Sequence, residues 1–243
     1  MRFKINFFSG EEFSLPIHYN HLIQGFIYSH LDPILRVTLH EKGFPYEKRK
    51  FKLFTFSRIQ GRIKKEGDKF LIGRNFSLII SSSRKEILQS LAENLLREEK
   101  IILQRKEILI NSIDIYPEPE IKEEMIIKML SPITVYSTLK KSNGDKKTYY
   151  YTPWEKEFSD LIKENLEKKY NLIHGEKFRS KKFEISPLRV NNRDLKVIKF
   201  KNTIIKGWMG LYRIKGEPEL LKVGYDCGLG AKNSQGFGCL TLL

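Results

Sequence analysis

The sequence predicts an α+β fold of two tandem βαββαβ units, the ferredoxin-like arrangement. Three observations predict it. Stretches rich in β-formers alternate with segments whose apolar residues recur at helical spacing. The order strand, helix, strand, strand, helix, strand in the first half is repeated in the second. A proline-bearing polar stretch, PEPEIKE (117–123), separates the two. The expected units are 1–118 and 124–243. With 243 residues, 40% of them hydrophobic, the chain can bury a sizeable core.

The elements follow in order. RFKINFF (2–8) alternates as a strand does. Leu22, Ile23, Phe26, Ile27 and His30 share one helical face, which predicts a helix over 18–31. LFTFSRI (53–59) and FLIGRNFSLIISSS (70–83) read as strands. Ser83 with Glu86 reads as a capping box opening a helix whose stripe is Ile87, Leu88, Leu91 and Leu95. IILQRKEILINSIDI (101–115) closes the first unit as strand. In the second unit MIIKMLSPITVY (125–136) is a strand. Thr152 as N-cap, Pro153 at the first helical position and Glu155 open a helix carrying Phe158, Leu161, Ile162 and Leu166. Strands are expected at 182–190, 194–201 and 203–213, a short helix at 217–223, and a last strand from Gly236 to Leu243.

Charge narrows the function. Lys and Arg number 44 against 29 Asp and Glu, a net charge of +15, which suits a nucleic-acid or anionic-membrane partner. Basic residues cluster in EKRKFK (47–52), RIKK (62–65), KKSNGDKK (140–147), KFRSKKF (177–183) and RVNNRDLKVIKFK (189–201). Tyr149, Tyr150, Tyr151, Phe178 and Phe183 are interleaved with them as candidate base-stacking platforms. The N-terminus has no signal-peptide h-region, no apolar run reaches membrane-spanning length, and no basic amphipathic helix stands out, so no membrane partner is expected. Two cysteines, Cys227 and Cys239, are too few for a disulfide framework or a zinc site, and a cytoplasmic location is expected.

The segment GLGAKNSQGFGCL (228–240) holds two Gly-apolar-Gly units five residues apart. Glycines let backbone N–H groups face outward, and successive amides can form an anion-binding concavity. Lys232 adds charge; Asn233, Ser234 and Gln235 add polar partners. Neither a phosphate loop of the GK[ST] kind nor a dinucleotide fingerprint fits, because a strand and not a helix follows. A glycine-rich turn before a terminal strand is the alternative.

Gly228, Gly230, Gly236 and Gly238, running into that strand, resemble the C-terminal signature of CRISPR-associated RNA-processing proteins. LLKVGYDCGLGAKNSQGFG, LPIHYNHLIQGFIYSHL and LHEKGFPYEKRKFKLFTFS resemble in particular the sixth Cas family, RAMP-superfamily endoribonucleases that cut CRISPR repeat transcripts. The resemblance implies an RNA partner held between the two units and by Gly228, Gly230, Lys232, Asn233, Ser234, Gly236 and Gly238. Non-cutting relatives share the glycine loop, so an RNA-binding subunit of an effector complex is the competing reading. A tandem RNA-binding protein outside the family is a third. Effector-complex proteins and a second copy of the chain are further candidate partners.

None of the histidines at 18, 21, 30, 40 and 174 falls in a metal-ligand motif, so neither metal nor cofactor is expected. RNA carries its own nucleophile, the 2′-OH. A protein must align it, move two protons and stabilise charge. Histidine suits the proton transfer and a cation the charge. By resemblance His40 is the general acid or base, Tyr28 orients the 2′-OH, and Lys52 stabilises the transition state, with Lys48, Arg49 and Lys50 close to it in register. Tyr28 lies off the apolar arc of its helix, near His21 and Gln24. His30 points to the core, and His18 and His21 are candidate RNA contacts. The loop through PYEKRK is longer than the family leads one to expect.

Overall fold

The computed structural model describes residues 1–98, 100–140 and 144–243. In the N-terminal half the strands are β1 (Arg2–Phe8), β2 (Phe13–Pro16), β3 (Phe44–Tyr46), β4 (Arg49–Phe51), β5 (Phe54–Phe56), β6 (Gln60–Glu66), β7 (Lys69–Ser82), β8 (Lys100–Leu103) and β9 (Lys106–Ile115). The helices are α1 (Asn20–Ser29), α2 (Pro33–Val37) and α3 (Lys85–Arg97). The sheet runs β2–β7–β1–β9–β8, with β5 and β6 also paired to β7. Ser81 pairs with both Arg2 and Thr55, and Ser77 with both Asn6 and Gln60, so β5 and β6 flank β7 opposite β1. Counting β5 and β6 as the second strand, the spatial order is 2-3-1-4, that of a ferredoxin-like unit. The stripes of α1 and α3 bury Ile23, Phe26, Ile27, Ile87, Leu88, Leu91 and Leu95 against Phe3, Ile5 and Phe7 of β1.

The C-terminal half repeats the plan with β10 (Glu124–Met129), β11 (Tyr136–Lys140), β12 (Lys146–Tyr150), α4 (Lys156–His174), β13 (Glu184–Arg189), β14 (Leu195–Phe200), β15 (Thr203–Trp208), β16 (Leu211–Lys215), α5 (Pro218–Cys227) and β17 (Leu240–Leu242). Its sheet order β13–β16–β10–β17 is again 2-3-1-4. β11–β12 and β14–β15 stand outside the sheet as hairpins, joined where Tyr150 Oη donates to Ile204 O. Residues 116–123 carry neither strand nor helix. Among the described residues no helix is long and apolar enough to cross a membrane.

Several local expectations change. Neither predicted N-cap caps a helix: α3 starts after Arg84 and α4 after Glu155, both without a side-chain cap. Thr152 and Glu155 instead close a turn just before α4, with Glu155 Oε2 accepting from Thr152 N at 2.5 Å. The 203–213 strand is cut at Gly210 (φ +115°), which sends β15 to a hairpin and β16 to the sheet. The short helix expected at 217–223 extends to Cys227 and becomes the second helix of its unit. The extended loop through PYEKRK is a hairpin, β3–β4, that docks across the molecule. Asn171 Nδ2 of α4 donates to Tyr46 Oη at 3.1 Å.

The halves share a polar seam. Arg2 on β1 is 3% exposed; its guanidinium donates to Leu240 O at 2.8 Å and Tyr225 O at 2.7 Å and lies over the Tyr225 ring. Thr55 Oγ1 donates to Phe237 O at 3.0 Å, and Arg58 N to Leu130 O at 2.9 Å. Buried bonds of this kind fix orientation more than they add net stability.

Candidate functional site

Three segments converge beside α1. His40 sits in a π-helical turn, Thr38–Lys42, that follows α2; Leu39 of that turn is buried and His40 is exposed. Such turns are rare and recur at functional sites. The His40 ring meets the Tyr28 ring edge-on at 5.9 Å, and Tyr28 packs equally close to Phe54. Burial pushes the Tyr28 hydroxyl up to about 12, so it stays a neutral donor over the whole physiological range. Lys52, between β4 and β5, donates to the backbone carbonyls of Leu39 and His40 and so ties down the turn. Burial, with Lys50 beside it, lowers its ammonium below the ordinary lysine value. Gly43 permits the approach: a Cβ there would come within 2.6 Å of Phe51 O and 3.0 Å of Lys52 Nζ.

The glycine loop faces the same helix. Its four glycines adopt φ between +67° and +83°, the region that favours glycine. A Cβ at Gly238 would lie 2.0 Å from Leu229 O, and one at Gly230 2.5 Å from Thr134 O. The glycines are buried, and the amides of Gly228, Gly236 and Gly238 donate to Gly224 O, Asn233 O and Pro132 O. The expectation that these three N–H groups face outward is therefore corrected: internal carbonyls take them. The glycines shape the loop, and the half-buried residues 231–235 are the part that reaches solvent. Of these, Asn233 also works inward, donating from Nδ2 to Leu229 O and Phe237 O at 3.0 Å each.

A stripe of α1 holds the loop against the turn. Asn20 Nδ2 donates to Gln235 O at 2.8 Å and to Gly236 O at 3.2 Å, and Gln24 Nε2 to Ser234 O at 2.7 Å. Tyr28, four residues further along, meets His40. Positions i, i+4 and i+8 share a helix face, so this polar line, flanking the apolar stripe, was a signal in the sequence. Lys169 on α4 was missed. It is 1% exposed, and its Nζ donates to Gly228 O (2.7 Å), Asn233 Oδ1 (2.7 Å) and Gly230 O (3.4 Å) from beneath the loop. Burial pulls its ammonium down to about 8. A lysine three residues past Leu166 falls on the apolar stripe of α4, which is where it could have been noticed.

Between the Arg49–Phe54 segment, α4 and the loop lies a cleft of about 480 Å3, lined by Lys50, Lys52, Tyr136, Asn165, Lys169 and Lys232 among others. A second groove of about 540 Å3 runs between the halves, from Arg58, Lys65 and Phe70 to Lys196 on β14. His18 borders it, its Nδ1 accepting from Lys199 N at 3.2 Å. His21 is exposed, with Nδ1 3.0 Å from His18 O. His30 is structural as expected: Nδ1 lies 2.7 Å from Phe26 O and Nε2 3.3 Å from a Glu98 carboxylate oxygen. Of the interleaved aromatics, Tyr151, Phe178 and Phe183 pack onto the C-terminal core and Tyr150 onto the β14–β15 hairpin, leaving Tyr149 exposed. Lys141, Ser142 and Asn143 of the KKSNGDKK cluster lie outside the described residues.

Comparison with known proteins bears on this arrangement. Residues 116–242 match the family described as "CRISPR associated protein Cas6, C-terminal", and residues 14–114 match "CRISPR-associated protein Cas6, N-terminal". The chain is 33% identical over 212 residues to "CRISPR-associated endoribonuclease Cas6 1" of Methanocaldococcus jannaschii, covering 84% of this chain and 80% of the relative. It is 32% identical over 253 residues to "CRISPR-associated endoribonuclease Cas6" of Pyrococcus furiosus, covering 100% and 90%. A solved structure titled "An RAMP protein binding different RNA substrates" superposes with a TM-score of 0.84 at 25% identity, covering 100% of this chain and 99% of that one. Tandem ferredoxin-like units, a glycine loop clasped by the first helix, and similarity along both halves give one assignment: the chain belongs to the Cas6 family of CRISPR-associated proteins.

Proposed function

We propose that this chain is a metal-independent endoribonuclease that cuts CRISPR repeat transcripts, the step that matures guide RNA for antiviral defence. The observation that carries the reading is the meeting of three separate segments at exposed His40, whose ring meets that of half-buried Tyr28 and whose backbone carbonyl takes Lys52, a residue that also lines a cationic cleft.

The chemistry is self-cleavage. The 2′-oxygen of one nucleotide attacks the adjacent phosphorus in line; the O2′–P bond forms and the P–O5′ bond breaks. The 2′ proton leaves to a base, and O5′ takes a proton as it departs. The products carry a 2′,3′-cyclic phosphate and a 5′-hydroxyl. His40 performs one of the two proton transfers. Tyr28, neutral, orients the 2′-OH. Lys52, held at the mouth of the turn, offsets the charge that develops on the phosphoryl oxygens. Lys232 and the surrounding loop hold the phosphate chain, and the second groove carries its continuation past Arg58 and Lys196.

The test is direct. With EDTA present, labelled repeat RNA is cut at one site by the wild type, while His40→Ala binds with unchanged affinity and does not cut. Wild-type binding without cleavage would turn the reading to a non-cutting subunit of an effector complex. The proposal extends to the cytoplasm as compartment and to effector-complex proteins or a second copy of the chain as partners. Light scattering behind a sizing column, with and without RNA, tests the dimer.

A further inference from the structure

Leu53, which joins β4 to β5, holds a backbone conformation that its side chain does not favour. Its φ is +55°, and it is 3% exposed. Glu47, Gln104, Arg105, Lys201 and Lys232 also take positive φ, but all are polar and none is buried. Among the described residues Leu53 is the only apolar side chain in that region. A leucine at positive φ is uncommon and persists only where its surroundings over-determine it. Two buried groups do so here, both through its carbonyl. Ser82 Oγ on β7 donates to Leu53 O at 2.8 Å and accepts from Arg84 N at 3.0 Å. Cys227 Sγ, at the end of α5, lies 3.5 Å from the same oxygen and 3.1 Å from Ser83 Oγ. Burial pushes the Cys227 thiol up, so it keeps its proton.

What flanks this bend gives it a use. On one side Phe54 is fixed: it pairs with Ser82 in the sheet, and its ring packs 5.9 Å from that of Tyr28. On the other side is Lys52, whose Nζ donates to Leu39 O and His40 O. The dihedrals of one residue therefore set the direction in which Lys52 leaves an anchored strand. We infer that Leu53 is a positioning residue: its left-handed backbone, pinned through the carbonyl by Ser82 and, from the C-terminal half, by Cys227, aims Lys52 at the His40 turn. The inference rests on the endoribonuclease reading above for what Lys52 then does, and adds to it the device that places the cation. It also makes the seam between the halves part of that device, because Cys227 immediately precedes the glycine loop.

The experiment compares Leu53→Ile with Leu53→Met. Both keep an apolar side chain of similar volume, but only isoleucine branches at Cβ and resists positive φ. Ser82→Ala removes the hydroxyl donor and leaves residue 53 untouched, so it carries the test if Leu53→Ile does not fold. Hydrogen exchange of the amides of residues 38–43 reads the turn, with α3 as the reference for overall stability. Single-turnover cleavage and RNA affinity are measured alongside. In Leu53→Ile and Ser82→Ala the turn should exchange about tenfold faster relative to α3, and cleavage should slow about tenfold or more with affinity unchanged. Leu53→Met should stay within about threefold of the wild type in both. Lys52→Ala should loosen the turn too, and adding Leu53→Ile to it should loosen it no further. A turn that exchanges as in the wild type in Leu53→Ile and Ser82→Ala overturns the inference. So does an equal loss in Leu53→Met, an additive effect in the double variant, or a loosened turn with undiminished cleavage. A wild type that cuts no repeat RNA defeats the endoribonuclease reading instead, and the exchange arm still decides whether Leu53 places Lys52.

Discussion

At the residue scale, the site assigns different duties to groups that look interchangeable in the sequence. A tyrosine beside a histidine can act as a base only if its hydroxyl ionises, and burial moves Tyr28 the wrong way, up to about 12. We expect Tyr28→Phe to slow single-turnover cleavage about tenfold, the worth of one orienting hydrogen bond, with rate–pH profiles parallel to the wild type from pH 6 to 10. An alkaline limb present in the wild type and lost in Tyr28→Phe would make the phenolate the base. Tyr28 was legible because helical spacing put it off the apolar arc. The role of Lys52 as a tie to the His40 backbone was not, because it depends on a π-helical turn that no periodicity announces.

At the element scale, the glycine loop is a piece of architecture supported by a buried cation. The positive φ at Gly238 and the contact with Leu229 O mean that Gly238→Ala must distort the loop; we expect a loss of several kcal/mol, seen as a lowered urea midpoint. Gly25→Ala, inside α1 where no atom lies within 4 Å of the added Cβ, should stabilise by about 0.5–1 kcal/mol. Lys169 makes the loop sensitive to pH. Its folded value, near 8, lies below the unfolded one, so between pH 8 and about 10.5 the unfolded chain binds more protons and stability rises with pH. The gain is on the order of 3 kcal/mol at most, at 1.36 kcal/mol per unit. Wild-type protein should therefore gain stability relative to Lys169→Met across that interval; a constant difference would contradict the buried, charged amine. The sequence announced glycine but misassigned its use. Four glycines can equally expose amides or let backbone strands pass, and only the carbonyls that meet them, Pro132 O and Thr134 O in the connection between β10 and β11, decide.

At the scale of the whole molecule, the repeated element order was enough to give both units, because each buries a conventional stripe against its sheet. The hairpins were harder. β11–β12 and β14–β15 lie outside the main sheets, and the β3–β4 hairpin earns its place only by reaching α4 across the molecule. Basic clusters were visible as composition, but which cations share a groove is a property of two halves meeting. If about five phosphates are held, the logarithm of RNA affinity should fall with the logarithm of salt with a slope near −3.5. A titration flat in salt would remove the phosphate-binding account. The central claim is that the RNA attacks itself beside His40. The most direct measurement is cleavage, in EDTA, of repeat RNA carrying a single 2′-deoxynucleotide just before the cut. The account predicts unchanged binding, no cleavage at that bond, and 2′,3′-cyclic phosphate ends from the all-ribose control. Cleavage of the deoxy substrate, or 5′-phosphate ends, would contradict it.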